Sequence, residues 1–422
     1  MNLSRKLRCC GALLIAAAAL MQPVPAAADT QQSAAAADLT RETKITASNG
    51  STSRLQDRST GTAWKAEADE ESWVALRVPD GEPLGGLYLS WSVRPAKWRV
   101  QLSADGERWS DAYIGGAKGP RNEYIPLDDA AGRALGLDVA PAGLIESHTT
   151  RRHARIVMES GAQAAAIFEL RVLGAGVLPD WVERWKPVVR DAELMVISAH
   201  PDDETVFFGG VLPRYAGEEQ RDSVVVYMTV EERRREVEAL GALWTSGVET
   251  YPVFGPFPDR HCETLEACAR FWGGKDKTVA YIVEQFRRFR PEVVVTHDVK
   301  GEYVHGAHLL TAWAVQQAVA AAADPAQYPE SAQRYGAWQV QKCYLHLYRE
   351  NPIVMDWNVP LARFGGRTAF EVAEEALQHH VSELHWNIVR VHDGKYSTAK
   401  YGLFYSAVGP DTAGGDLFEN IR

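Results

Sequence analysis

The stretch ELMVISAHPDDETVFFGG, residues 193–210, constrains the fold more than any other part of this chain. A short apolar run at 194–199 breaks abruptly into one histidine and three acids within five residues: His200, Asp202, Asp203 and Glu204. Such a run reads as a buried strand that delivers polar side chains to a loop at its C-terminal end. In open α/β sheets that edge is where ligands bind. A strand followed by a helix with an acidic first turn, which the helix dipole favours, accounts for Glu204 and one aspartate. It does not account for His-Pro-Asp-Asp as a unit.

From residue 193 onward, strand and helix patterns alternate. Strands are expected at 194–199, 222–229, 249–254, 291–296 and 339–348. Helices are expected at 205–215, with Pro213 marking a turn near its end, and at 232–244, 278–289, 309–323 and 369–381. Alternation of this kind implies a Rossmann-like, mainly parallel sheet with helices on both faces. The strand at 291–296 ends in HDVKGEYVHGAH, residues 297–308, and so repeats the logic of the first motif. Parallel strands aim both loops at one edge, where His200, Asp203 and His308 can meet around one ion. Two imidazoles and a carboxylate suit Zn2+, with other divalent metals as alternatives, and leave a fourth position open. A metal there acidifies a bound water and polarises a carbonyl. Asp202, beside Asp203, is the candidate base for the attacking water. His305 is the candidate partner for the oxyanion or leaving amine.

These motifs resemble the PIG-L/LmbE-like zinc-dependent N-deacetylases over residues 193–310, and less closely beyond. The resemblance implies metal ligands His200, Asp203 and His308, general base Asp202, and His305 as the electrostatic or acid partner. It also implies substrate contacts from Arg233 and from Asp259 in the FPD turn. Gly306-Ala307 stands where many relatives have Pro-Asp, and 262–277 reads as an inserted loop beside the pocket. His297 reads as a partner behind the ligands or as a satisfied core residue. Asp298 is a candidate to orient a ligand imidazole. His379, His380 and His385 surround a C-terminal helix, with His380 the candidate to approach the site.

Residues 43–175 have a different texture, with short alternating runs at 73–78, 86–91, 98–102, 154–158 and 167–172 between turn residues. This pattern predicts a β-sandwich. The order of DRSTGTAW at 57–64, QLSADGERW at 101–109 and FELRVLG at 168–174 resembles the discoidin, or coagulation-factor C-type, modules, many of which bind glycans through loops at one end. Trp64, Trp91 and Trp98 are candidates for sugar stacking, although Trp64, Trp73 and Trp109 fall at positions that are usually core in that family. Residues 29–42 read as a tail, and 176–192 as a linker before the domain at 193–422.

The 422-residue length suits two or three domains at roughly 150 residues each. A net charge of −10 argues against nucleic acid and anionic membrane surfaces as partners. Residues 1–28 read as a signal peptide, with a basic start, an apolar stretch at 11–20 and Ala26-Ala27-Ala28 before cleavage. The expected destination is periplasmic or extracellular, with no transmembrane segment in the mature chain. Export permits a disulfide, and Cys262 and Cys268 are the nearer pair, with Cys343 expected as a buried thiol. These features converge on an exported zinc hydrolase that removes an N-acyl group from an amino sugar of a glycan or glycoconjugate. A deacylase of a non-sugar conjugate and a non-catalytic glycan-binding protein are the alternatives. The intact set His200, Asp202, Asp203, His305 and His308 counts against the last.

Overall fold

Alternating apolar runs in the first half pair as antiparallel strands. The computed structural model describes residues 34–127, 152–159, 164–188, 190–230, 232–384 and 394–421. The expected signal peptide and His385 lie outside these. Strands β1 (Lys44–Ala47), β3 (Ser72–Arg77), β8 (His153–Met158), β5 (Lys97–Ser103) and β6 (Ser110–Gly116) form one sheet in the order β1-β3-β8-β5-β6. Strands β2 (Trp64–Lys65), β9 (Ala166–Gly174), β4 (Leu84–Val93) and β7 (Asn122–Pro126) form the other, in the order β2-β9-β4-β7. Their inward faces close one core. The three tryptophans expected as stacking candidates are core side chains, with Trp64 2%, Trp91 0% and Trp98 1% exposed. Aromatics of this area gain more from packing than from a rare ligand contact. Trp73 and Trp109 are half-buried instead.

Residues 35–39 are not a free tail. The Ala36 N–H donates to Val177 O and the Leu39 N–H to Val172 O, both at 2.8 Å, and Leu39 enters the sandwich core.

The second half is an α/β sheet of described strands β10 (Leu194–Ser198), β11 (Ser223–Thr229), β12 (Val253–Phe257), β13 (Val293–Thr296), β14 (Lys342–His346), β15 (Pro352–Val354) and β16 (Lys400–Ser406), in the order β12-β11-β10-β13-β14-β16-β15. The first five in this order run parallel, and β16 and β15 are antiparallel additions. The fully buried runs of β10, β11 and β13 follow from cover on both faces, where two separate apolar clusters pack. After β10 the chain moves to β11 and β12 on one side and returns to β13 on the other. The crevice between β10 and β13 is therefore the topological switch point.

The expected helix at 205–215 is interrupted. A single turn, α1 (Asp203–Val206), is separated from a π-helical turn, Pro213–Glu218, that Pro213 begins rather than ends. A side chain on Gly210 would strike the Trp357 ring, so the chain approaches too closely there for a regular exposed helix. Helix α2 (Arg233–Thr245) follows β11. The expected inserted loop contains a helix, α3 (Leu265–Trp272), capped by Thr264 Oγ1 accepting from the Ala267 N–H at 3.1 Å. Its cysteines 262 and 268 are buried free thiols and not a disulfide; Cys343 is also a buried free thiol. Helices α4 (Lys275–Phe289), α5 (Gly306–Ala323), α6 (Pro329–Tyr335) and α7 (Ala369–Leu377) complete the layers. Among the described residues, no helix is long and apolar enough to cross a membrane.

The segment at 176–192 packs across both halves. The Trp185 ring lies 5.6 Å from those of Trp244 and Tyr251, and the Asn122 amide donates to Glu183 at 2.8 Å. The sandwich also touches α2 directly: Arg121 pairs with Glu236, and the Thr60 hydroxyl donates to Glu238 at 3.2 Å.

If Trp98 is a core residue, Trp98→Ala lowers the unfolding free energy by about 3–5 kcal/mol. Urea unfolding of the variant, followed by fluorescence, measures this. A loss under 1 kcal/mol marks Trp98 as a ligand-facing residue.

Candidate metal centre

Strand β10 ends in a sharp turn fixed by its own side chains. The Ser198 hydroxyl donates to His200 O at 2.7 Å, and the next free backbone donor, Ala199 N–H, is taken by His297 Nε2 at 2.9 Å. Asp202 then sits at φ 116°, a conformation that L residues rarely adopt. It is held there by Glu204 Oε2, which accepts the Asp202 N–H at 2.8 Å, and by the Thr205 hydroxyl, which donates to Asp202 O at 2.8 Å. Strain kept at one residue by several bonds is typical of functional loops. It lets two adjacent aspartates face different groups. Asp203 Oδ2 lies 3.2 Å from His200 Nδ1, while Asp202 Oδ1 accepts from Arg235 Nη2 at 3.0 Å.

His308 arrives from the first turn of α5. Its Nε2 lies 3.2 Å from His200 Nδ1 and 3.4 Å from Asp203 Oδ1. The separations among His200, Asp203 and His308 are thus 3.2–3.4 Å, with Asp203 facing His200 through Oδ2 and His308 through Oδ1. Ligands of a tetrahedral zinc at 2.0–2.1 Å are about 3.3 Å apart, and donors of two overlapping groups, His200-His305-His308 and Asp203-His297-His308, lie within 4.8 Å of one another.

The protons support the same conclusion. His308 Nδ1 donates to Glu302 Oε2 at 2.9 Å, which leaves Nε2 bare in the neutral ring. The Asp259 carboxylate, 3.6 Å from His200 Nε2, favours a proton on that outer nitrogen. With both rings neutral in these tautomers, two imidazole lone pairs and a carboxylate converge, an arrangement that a cation stabilises; in the absence of an ion, burial opposes but Asp203, Asp259 and Asp202 favour a further proton on His200. Burial works to raise the Asp203 carboxyl, but His308, His200 and His297 hold it well below the ordinary range. Burial and the charge of Asp203 push Asp202 the other way, upward.

Glu302 lies behind these ligands, fully buried. It accepts from His297 Nδ1 at 2.8 Å, His308 Nδ1 at 2.9 Å, His346 Nδ1 at 2.6 Å and the Asp298 N–H at 3.0 Å. Burial works to raise its carboxyl, but the His297 charge and the hydrogen bonds from the three imidazoles bring it well below the usual range. Glu302 and Asp203 favour a proton on His297. The Ala199 N–H aimed at Nε2 leaves Nδ1 to carry it.

His305 caps α5, its Nδ1 accepting from the Ala307 N–H at 3.3 Å, so a neutral ring carries its proton on Nε2. Burial, with His200 and His308 beside it, pushes the imidazole down to about 3. Its ring centroid is 4.7 Å from that of His200 and 4.9 Å from that of His308. A nitrogen of His305 also lies within 4.8 Å of donors of both, which makes it a second candidate ligand.

The structure differs from the sequence reading at three positions. Arg235, not Arg233, stands at the site. Its guanidinium donates to Pro201 O at 2.5 Å, to Asp202, and to Asp259 Oδ2 at 3.2 Å. Residues two apart on a helix face different ways, and Arg233 is exposed beside Arg121 and Tyr251 of a separate small cavity. Asp298 does not orient an imidazole; its Oδ1 accepts the Lys300 N–H at 3.1 Å, and Glu302 takes the orienting role. His380 donates or accepts at Glu204 Oε1, 2.6 Å away, and so supports the carboxylate that holds Asp202 without facing the ion site. His379 contacts the Thr245 hydroxyl at 2.8 Å. Reading the sequence missed Glu302, His346 and Arg235. Only His346 carried a positional signal, at the end of a parallel strand next to β13.

Gly306, where relatives have proline, is explained by the segment before α3. Its N–H donates to Cys262 O at 2.6 Å, and a Cβ there would lie 2.6 Å from Thr264 O. Proline lacks the donor and does not fit.

Residues 195–319, which include the loops that follow β10 and β13, match the family model described as PIG-L: GlcNAc-PI de-N-acetylase. A 1D-myo-inositol 2-acetamido-2-deoxy-alpha-D-glucopyranoside deacetylase of Geodermatophilus obscurus is 32% identical over 178 residues, 36% of this chain and 60% of that protein. The chain therefore spans less than two thirds of that relative. A mycothiol S-conjugate amidase of Streptomyces coelicolor is 26% identical over 298 residues, 54% of this chain and 97% of that protein. Among solved structures, chitosan-binding module 1 from a chitosanase/glucanase of Paenibacillus sp. IK-5 is similar at 18% identity and a TM-score of 0.25, covering 32% of this chain and 98% of the module.

Glu302→Gln retains size but loses the anion that three imidazoles face. Its expected effect is a 10–100-fold loss of Zn2+ affinity, measured by competition with a chromophoric chelator. His308→Ala abolishes stoichiometric binding, and His305→Ala preserves it; loss of metal from His305→Ala makes His305 a ligand.

Proposed function

We propose that this chain is an exported, zinc-dependent hydrolase that removes an N-acyl group, foremost N-acetyl, from an amino sugar of a glycan or glycoconjugate. The observation that carries this reading is the convergence of His200 Nδ1, His308 Nε2 and the Asp203 carboxylate beside a second carboxylate that faces elsewhere. A divalent cation bound there supplies Lewis-acid polarisation of the amide carbonyl and acidifies a water.

The chain's own groups do the rest. Asp202 accepts the proton of the attacking water; burial beside Asp203 raises its affinity for that proton. His305, with its proton on Nε2, donates to the charge that develops on the former carbonyl oxygen or to the departing nitrogen. Arg235 and Asp259, fixed to each other at 3.2 Å, offer a donor and an acceptor for sugar hydroxyls. Bond changes balance as a hydrolysis: the amide C–N bond breaks, a carboxylate leaves, and the sugar keeps a free amine.

Two kinds of relative support an amide bond as the target, one named for a deacetylase and one for an amidase of a conjugate. The second favours a thiol conjugate as an alternative substrate, so both classes belong in one assay. The basic start and apolar stretch of residues 1–28 support the export part of this reading, with cleavage expected before Asp29.

Asp202→Asn is expected to retain one Zn2+ per chain while kcat for acetate release falls about 10²- to 10⁴-fold. Full activity in that variant contradicts the proposal. Arg235→Ala is expected to raise KM about tenfold, as loss of a charged hydrogen bond does, whereas Arg233→Ala leaves kinetics unchanged. The opposite ranking in steady-state assays restores Arg233 as the substrate contact.

A further inference from the structure

Beside the metal centre, a cavity of about 850 Å³ runs between the loop at 298–304, the segment after β14 and the chain entering β16. Tyr303 belongs to both. It lines the cavity, and its ring centroid lies 5.2 Å from that of His308 and 5.5 Å from that of His305. Tyr303 and Val304 have φ values of 47° and 62°. Left-handed backbone is unfavourable for an aromatic and still more so for a β-branched residue. The strained pair presents side chains that are 51% and 59% exposed, and Val354, on the same cavity, is 58% exposed. Apolar groups held out to solvent at a strained turn mark a contact surface.

Charge identifies what the surface meets. Lys300, Arg349, Lys395 and Lys400 line the same cavity and are exposed. Among the described residues, none of the four takes part in an ion pair. They outnumber the cavity's carboxylates, Asp298 and Glu350, two to one, in a chain of net charge −10. Cations gathered against the overall charge attract an anion. The aromatic groups beside them that reach the surface are Tyr348 and Tyr396, which combine an apolar ring face with a polar tip. The cavity is an open groove rather than an enclosed tunnel. An alkyl tail gains from enclosure and has no use for cations; a sugar ring with a carboxylate uses ring faces, hydroxyl tips and cations together.

We propose that this groove binds an acidic sugar adjoining the N-acylated residue, so that the substrate is a carboxylate-bearing glycan. This rests on the deacylase reading of the metal centre and names its substrate class.

The test uses the full chain and Lys395→Glu/Lys400→Glu, two exposed positions outside the metal centre. Three probes are compared: a tetrasaccharide alternating glucuronate and N-acetylglucosamine, tetra-N-acetylchitotetraose, and N-acetylglucosaminyl octyl phosphate. Equilibrium binding of the acidic tetrasaccharide is measured separately from turnover. Wild type is expected to prefer the acidic over the neutral tetrasaccharide by about tenfold in kcat/KM at low ionic strength, from exposed charge pairs. The preference is expected to fade in about 0.5 M salt, where screening is nearly complete beyond a few ångströms. In the double variant it disappears through KM, with kcat and the neutral substrate unchanged. Equal use of the two tetrasaccharides by wild type overturns the proposal, as does a stronger preference for the octyl phosphate or a preference that survives in the double variant. If wild type turns over none of the probes yet binds the acidic tetrasaccharide through Lys395 and Lys400, the groove assignment stands and the deacylase reading falls. Absence of both turnover and binding overturns both.

Discussion

One buried carboxylate organises the candidate metal centre. Glu302 has no solvent contact and faces three imidazoles and a backbone amide, from β13, α5 and β14. His297 and His308 give their Nδ1 protons to this anion, which turns a bare Nε2 outward, while His346 joins it to the Ser397 carbonyl, 2.9 Å from its Nε2. On His308 that bare nitrogen points at the ion site; on His297 it accepts the Ala199 N–H and fixes the end of β10. A single charge thus sets the tautomers of a ligand and of the residue that shapes the ligand loop. An anion without such partners costs several kcal/mol to bury, so the network and the fold of this sheet edge depend on each other.

The second constraint is the strained Asp202. Its backbone is closed by Glu204 and Thr205, and Glu204 is in turn held by His380 from the segment after α7. Asp202 reaches Arg235 at the start of α2, and α2 is braced on its other side by the sandwich through Arg121–Glu236 and Thr60–Glu238. The first domain therefore does more than adjoin the second. It supports the helix whose first turn carries the guanidinium beside Asp202.

Much of this was legible in the residues. Period-two runs marked β3, β4, β5, β8 and β9, and the nearly continuous apolar runs marked β10, β11 and β13. The strand-then-polar pattern placed His200, Asp203 and His308 at one sheet edge, because parallel strands have a common C-terminal side. Other features depend on contacts that spacing does not encode. Three successive arginines leave the helix register open by one position either way, and tertiary packing chose Arg235. Glu302 looks like any loop acid until His297, His308 and His346 are brought around it. The tryptophans of the sandwich are equally suited to a core or a sugar by composition, and the alternation of the strands turned three of them inward. Cys262 and Cys268 lie in a segment that reads as an inserted loop, but Thr264 caps a helix there instead.

X-ray absorption at the zinc edge of the metal-loaded protein tests the central claim most directly. The account predicts a shell of two imidazole nitrogens with oxygen ligands at about 2.0–2.1 Å. It also predicts that the two-imidazole count survives His305→Ala. A shell of three imidazoles that drops to two in that variant, or protein that takes up no zinc, contradicts it.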